Sequence, residues 1–175
     1  MTTLTRWLLR AFADEWPGGL PGDGDTGGPL TLIDRDDSRI LSVDTGTDPT
    51  TLTRERHSKD FELNVANSLG VALTNGDEVP AGLGGSEYRH EPTLSVRIEA
   101  ADERQHGHVA NAEEFTSLCR TAVDVVQSID NGTLQAAPLA DFYVADPGTV
   151  TPQMADWKDS YLWQFDVEPR GYESA

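Results

Sequence analysis

The residues best suited to metal chemistry are the two histidines of His106-Gly-His108, which a single glycine separates. Histidines at this spacing in a strand lie on the same side and can share a metal ion. A metal site needs a third or fourth ligand, for which Asp102, Glu103 and His90 are the nearest candidates. Since no spacing brings these three to the pair, we interpret the segment as a polar loop tip between a strand and a helix.

A second acidic group, Asp34, Asp36 and Asp37, begins like a calcium-binding loop. Such a loop needs glycine at its sixth position and a bidentate glutamate at its twelfth. Counted from Asp34, these positions hold Arg39 and Thr45. The spacing therefore favours a solvated hairpin turn, and the sequence predicts no metal ligand.

Nucleophilic and phosphate-binding patterns are also incomplete. Cys119 is the single cysteine and lies among apolar residues of a predicted helix, which favours a small buried side chain over a nucleophile. The glycines at 82–85 are not followed by the Gly-Lys-Ser/Thr of a phosphate loop. No Gly-x-Ser-x-Gly motif occurs. The sequence thus predicts no catalytic residue and no cofactor, and a protein that is not an enzyme.

Net charge restricts the partners. The chain has 30 Asp and Glu against 13 Lys and Arg, a net charge of −17 and a pI near 4.3. DNA and anionic membranes attract basic surfaces, so we predict that the chain neither grips DNA nor binds a membrane. This charge does not exclude a protein through which DNA passes.

The choice of charged residue types indicates the salt concentration in which the protein works. Lys59 and Lys158 are the only lysines, and yet the apolar residues are well patterned. An acidic, lysine-poor and patterned chain is typical of salt-loving archaea, where molar salt shortens the Debye length to about 3 Å and screens self-repulsion. An ordinary acidic protein is the alternative.

Length and hydropathy predict a single domain over residues 1–175. No apolar run approaches the roughly 18 residues of a membrane helix. Near the start, the apolar run Trp7–Leu9 is shorter than the about 7–15 residues of a signal peptide. We therefore expect the chain to stay in the cell in which it is made.

Hydrophobic periodicity predicts two helices, over 3–16 and over 111–130, the second capped by Asn111. Strands are predicted at 30–33, 40–43, 61–65, 94–98, 142–144 and 161–167. A turn is predicted at 146–148, and Pro169 is predicted to end the last strand. This order predicts an α+β fold: a mixed, mostly antiparallel sheet with two main helices packed on one face and long loop extensions.

Three segments without a periodic pattern are predicted as long loops, near 17–29, 44–59 and 75–92. Structureless segments above about 12–15 residues are uncommon in compact domains and are usually functional or disordered. A small body with long extensions suits a subunit that contacts its neighbours. The sequence therefore predicts that these segments contribute to assembly.

Four residues are predicted to contribute to an oligomer or partner interface: Arg54, Arg56, Tyr88 and Trp163. Arg54 and Arg56 belong to a short charged run that contains too few basic residues to recognise nucleic acid. We therefore interpret the run as a solvated loop or an interface loop. Trp163 lies on the aromatic face of the last predicted strand, which could be core, interface or both, and the pattern favours the core.

The order of elements and several local segments resemble the tail-terminator, or tail-completion, proteins of tailed viruses. The segments are Ser86-Glu-Tyr-Arg-His90 leading into Leu94-Ser-Val-Arg-Ile98, the helix at 112–129, and the closing strand at 159–167. The likeness spans about residues 1–170 and consists of the order of the elements and the residue pattern of short segments. Together with the acidic composition, it indicates a virus of a halophilic archaeon.

This resemblance implies a homohexameric ring that caps the tail tube and joins it to the head–tail connector or stopper protein. DNA would pass through the lumen without specific binding. The resemblance implies a place in the tail or neck of the virion after assembly in the host cytoplasm, and it supplies no catalytic residues. Three alternatives stay open: a head-completion or stopper connector protein, a small halophilic metal-dependent hydrolase using His106 and His108, and a soluble adaptor of a cellular complex.

Overall fold

The computed structural model describes residues 4–22, 24–25, 27–37, 39–41, 52–57, 67–80, 87–105, 107–129, 141–151 and 160–174. In these ranges the helices are α1 (Leu4–Glu15) and α2 (Ala112–Ser128), with a single 3₁₀ turn at Glu103–Gln105. The strands are β1 (Leu30–Asp34), β2 (Arg39–Leu41), β3 (Leu52–His57), β4 (Asn67–Pro80), β5 (Glu87–Ala101), β6 (Asp141–Thr151) and β7 (Ser160–Ser174).

The described strands form one mixed sheet in the order β3-β2-β1-β4-β5-β7-β6. Its centre consists of β1, β4, β5 and β7, and β1 pairs with β4 in parallel, while the remaining neighbours pair antiparallel. Both helices pack on this sheet. The predicted α+β class, with a mostly antiparallel sheet and two main helices, is confirmed.

Alternation along the strands explains the core. On β5, Leu94, Val96 and Ile98 are fully buried, whereas the intervening Arg97 and Glu99 are partly exposed and form an ion pair. On β7, Trp163, Phe165 and Val167 follow the same alternation. Burying each large apolar side chain contributes about 1.5–3 kcal/mol, so one face of the sheet carries the stabilising contacts.

The two helices cover that face. Trp7, Leu8 and Phe12 of α1 and Phe115 and Val126 of α2 are buried in the same cluster as the strands. The backbone N–H of Glu114 donates to the side chain of Asn111 at 3.0 Å, which caps α2 as predicted. Helix α2 therefore starts where the sequence indicates, close to its predicted range of 111–130.

Two predicted loops are partly strands. The prediction of a structureless loop at 75–92 is wrong. Strand β4 continues to Pro80, β5 begins at Glu87, and the two strands pair antiparallel as far as Pro80 and Tyr88. Within 44–59, residues 52–57 form β3, and the rest lies outside the described residues. The predicted loop at 17–29 contains no helix or strand in its described positions.

Other strand predictions meet mixed outcomes. The strand predicted at 61–65 lies outside the described residues. The turn predicted at 146–148 is wrong, since β6 runs through it with a register shift between Pro147 and Val150. Pro169 does not end β7, which continues to Ser174. A proline is tolerated there because the β5–β7 ladder is interrupted at that point, so its missing N–H removes no bond to β5.

Candidate subunit interface

The structure does not bring the four predicted interface residues together. Arg54 and Arg56 lie in β3, the outermost described strand on one side, where pairing with β2 is irregular between Thr53 and His57. Tyr88 lies in β5, at the register position between Pro80 of β4 and Glu173 of β7. Strands β2, β1 and β4 therefore separate the two arginines from Tyr88.

Trp163 is a core residue. It is 8% exposed and belongs to the cluster that both helices cover. Its indole Nε1 is buried and has no hydrogen-bond partner among the described residues. This position agrees with the favoured core role of the aromatic strand face and leaves 8% of Trp163 accessible.

The buried core ends part of the way along the sheet. Val71 of β4, Leu94 of β5 and Val167 of β7 are fully buried and are the last core members on their strands. Leu73, the next residue of β4 in the same alternation, is 41% exposed. The sheet nevertheless continues beyond this line for about 23 Å, given 3.3 Å per residue over seven residues.

We call this continuation the sheet extension and define it as residues 73–80, 87–93, 141–146 and 168–174 of β4, β5, β6 and β7. No member of the hydrophobic core cluster lies in it among the described side chains. The sheet extension was the part of the molecule that sequence reasoning missed, although Tyr88 was selected from within it.

A β-bulge marks the boundary between body and extension. The β4–β5 register shifts between Leu73 and Asn75, and the Thr74 hydroxyl donates to the carbonyl oxygen of Thr93 at 3.0 Å. The Leu73 backbone N–H donates to the carboxylate of Asp36 at 3.1 Å. Because bulges bend a strand and increase its twist, these bonds fix the direction in which the extension leaves the body.

Two prolines lie at the same boundary. Between the pairs Leu94↔Val167 and His90↔Gly171, the β5–β7 ladder has no matched positions. Pro92 and Pro169 fall in this interruption, and both are buried. A residue without an N–H is suited to such a place, since it removes no bond between β5 and β7 there.

Register shows that the extension is amphipathic. Positions that alternate in phase with the buried core residues, called here the in-phase face, include two carboxylates and one histidine: Glu78, Glu173 and His90. The apolar members of the in-phase face are Leu73, Pro80, Tyr88, Pro92, Phe142, Ala145 and Pro169. The opposite, out-of-phase face has three apolar or aromatic positions, Val79, Val144 and Tyr172, and eight charged ones: Asp77, Glu87, Arg89, Glu91, Asp141, Asp146, Glu168 and Arg170.

The turn after β1 ties α1 to the sheet beside this boundary. Asp34 is 2% exposed, and its carboxylate accepts the backbone N–H groups of Asp36 and Asp37 at 3.0 and 3.2 Å. Arg6 of α1 pairs with Asp34 at 3.5 Å, and Thr5 bonds Asp36. Desolvation raises the pKa of Asp34, although its backbone hydrogen bonds act in the opposite direction. These bonds hold the turn and α1 together.

Asp102, at the other end of β5, is equally covered but differently bound. It is 1% exposed and accepts hydrogen bonds from the backbone N–H and the Nε of Arg104 at 2.9 and 2.8 Å, and from the Tyr161 hydroxyl at 3.0 Å. The Arg104 hydrogen bonds lower the pKa of Asp102 to about 2. Tyr161 also stacks on Phe115 of α2, with ring centroids 5.3 Å apart. The carboxylate therefore fastens α2 and β7 to the end of β5.

The remaining candidates for chemistry are also held in structural roles. His108 packs on Gly28, where φ is +71° and a Cβ would overlap its ring. His106 lies outside the described residues, and within the described ranges no three His, Cys, Asp or Glu residues group as metal ligands. Burial raises the pKa of the Cys119 thiol far above its usual range, which keeps it protonated and unreactive.

Comparison with known proteins adds no relative: no protein-family model matches the chain, and no curated protein matches it. Among the described residues, α1 and α2 both lack the length and apolarity that crossing a membrane requires.

Proposed function

We propose that this protein is the tail terminator of a tailed virus of a salt-loving archaeon. In this role, copies form a ring that caps the tail tube, joins it to the head–tail connector and lets DNA pass. The observation that carries the proposal is the continuation of a compact α+β body into an amphipathic sheet extension, beyond the last core residue of each strand. A subunit of this kind is completed by contact with its neighbours.

The state of the described acidic and thiol groups supports a structural role. Asp34 and Asp102 each bind two or more donors of their own chain, and Cys119 is sealed in the core. The hydrogen bonds of the two aspartates and the burial of the thiol stabilise the packing of helices on the sheet. They are not an arrangement that activates a nucleophile or a base.

Net charge supports passage of DNA without retention. A chain of charge −17 repels the phosphate backbone wherever its carboxylates line the path. In molar salt the Debye length is about 3 Å, so the repulsion acts at contact range and prevents sticking rather than steering DNA. The same carboxylates suit a protein that stays hydrated in brine.

Closed symmetry is expected for such an assembly, because a head-to-tail contact that closes produces a cyclic oligomer. Light scattering after size exclusion in 3 M NaCl measures this directly. A mass of six chains of 19.0 kDa each is the expected result, with central holes in negative-stain images. A chain that stays monomeric at molar salt and micromolar concentration contradicts the proposal.

The partner separates a terminator from other neck proteins. Mixed with tail-tube protein polymerised from the same virus, the ring should cap one end of each tube. A ring that binds only the portal-side adaptor would instead be a head-completion or stopper protein. Stoichiometric zinc or manganese in the purified chain would favour the hydrolase alternative.

A further inference from the structure

We propose that Arg35 and Arg97 form a binding site for a carboxylate group, on the face of the sheet opposite the two helices. Arg35 is exposed, and 39% of the Arg97 side chain is accessible, so a ligand can reach both. The site is independent of the proposed ring, because all of its residues belong to one chain.

Gly70 determines where Arg35 lies. Gly70 stands between the core residues Leu69 and Val71 of β4, so its Cβ position is on the face opposite the helices. A Cβ there would come 2.6 Å from Cδ and 2.9 Å from Cγ of Arg35. The Arg35 backbone N–H donates to the carbonyl oxygen of Val71 at 2.9 Å. Glycine therefore leaves the space in which the Arg35 stem lies against the strand.

Register brings Arg97 to the same place. Gly70 of β4 pairs with Arg97 of β5, which in turn pairs with Gln164 of β7. Directly opposite Cβ atoms in an antiparallel pair are about 4.5–5.5 Å apart, and Arg35 Nε lies 3.8 Å from the Cβ position of Gly70. The two arginines therefore flank one position on this face.

The positive charge at this position is only partly balanced. Arg97 pairs with Glu99, whereas Arg35 has no ion pair with any described residue. Asp166, one row further along the same face, pairs with neither arginine among the described contacts. Two guanidinium groups and one bound carboxylate leave one positive charge, which a second carboxylate neutralises and a phosphate dianion would exceed.

Guanidinium chemistry favours the same ligand. The planar fork of an arginine donates parallel N–H bonds to a carboxylate. Arginines elsewhere in this chain already bind carboxylates, as Arg6 binds Asp37 at 3.0 Å and Arg104 binds Asp102 at 2.8 Å. Because the stem of Arg35 is held on β4, less side-chain freedom is lost on binding. A free organic acid and an acidic side chain of another chain both present this group.

Two probes supply the two sources to the full-length chain. Replacing 3 M NaCl by 3 M sodium acetate supplies a free carboxylate, and a tetraglutamate peptide at about 5 mM in 3 M NaCl supplies an acidic segment. The measured quantity is the change in thermal midpoint on adding each probe, and circular dichroism checks that each variant is folded beforehand.

Four variants separate a positioned site from general charge. Arg35→Gln and Arg97→Gln each remove a guanidinium and leave the backbone unchanged. Gly70→Ala retains every charge but displaces the Arg35 stem. Arg120→Gln is the matched control, because Arg120 is an exposed arginine of α2 that has no ion pair with a described residue.

The parent chain and Arg120→Gln should gain about 2–4 °C more than the other three variants, since a ligand that binds the folded chain stabilises it by mass action. General salt effects of acetate should be equal in all chains. A gain with acetate identifies a free carboxylate as sufficient, and a gain with the peptide alone identifies an acidic segment.

Equal changes in all five chains with both probes would overturn the inference. A loss of the gain in Arg120→Gln as large as in Arg35→Gln would also overturn it, because net charge would then explain the effect. If Gly70→Ala does not fold, the two arginine variants and their control still decide the outcome.

Discussion

The body and the sheet extension use the same strands, yet they differ in what covers their apolar face. In the body, Val96 and Phe165 lie beneath α1 and α2 and are almost completely buried. Past Val71, Leu94 and Val167 the same alternation continues, and coverage becomes uneven: Leu73 is 41% exposed, whereas Pro92 and Pro169 are still buried. The difference teaches that alternation identifies the apolar face of a sheet but does not identify the element that covers it.

Truncating a core side chain in the body should have the largest effect. Phe165→Ala removes a ring that is 1% exposed, and the cavity together with the lost burial should lower the free energy of unfolding by about 3–5 kcal/mol. Urea denaturation at constant molar salt measures this change. A loss below 1 kcal/mol, which is too small for a ring in a packed core, would show that Phe165 is not covered as described.

The two buried aspartates should respond to pH in opposite directions. The pKa of Asp102 is lowered from 3.8 to about 2, so its ionised form contributes stability above about pH 4 that is lost as the pH falls toward 2. The pKa of Asp34 is raised, so its contribution is greatest when it is protonated and declines as the pH rises from 3.8 through its folded-state pKa.

Asp102→Asn should therefore lower the thermal midpoint by several degrees at pH 7, with the difference from the parent shrinking toward pH 2. Asp34→Asn is the matched control, since its amide oxygen can still accept the N–H groups of Asp36 and Asp37. It should cost less at pH 7 than Asp102→Asn. Equal losses for the two variants at every pH would mean that burial alone, and not the bound donors, determines their behaviour.

The smallest expected effect on the monomer is at the boundary. Leu73→Ser changes an exposed side chain and should alter the free energy of unfolding of the dissociated chain by no more than about 0.5 kcal/mol. Its backbone bond to Asp36 is unaffected by the substitution. A loss comparable with that of Phe165→Ala would show that the core extends past Val71.

Sequence reasoning predicted the body well, because its signals are local. The alternation at 94–98 and the cap at Asn111 lead directly to β5 and α2. The extension was missed because Gly76, Pro80 and Pro92 are turn-forming residues, whereas pairing between distant strands decides whether they can be accommodated. Tyr88, His90 and Pro92 continue the phase of Leu94, which is the one signal that could have revealed the extension.

The four residues predicted to form an interface lie in different parts of the fold. Trp163 belongs to the core, the role that the aromatic face of its strand favoured. Arg54 and Arg56 were chosen for their charge, although they occupy an irregular edge. Tyr88 is the member of the set that lies in the sheet extension.

Hydrogen–deuterium exchange on the assembled chain and on the same chain dissociated by dilution tests the central claim, assembly through the sheet extension, most directly. Backbone amides of the body, such as those at 94–98 and 115–126, should be protected to the same degree in both. Amides at 73–80 and 87–93 should be strongly protected in the ring and exchange much faster in the dissociated chain. Equal protection of the extension in both states would contradict the account, since the extension would then be stabilised within a single chain.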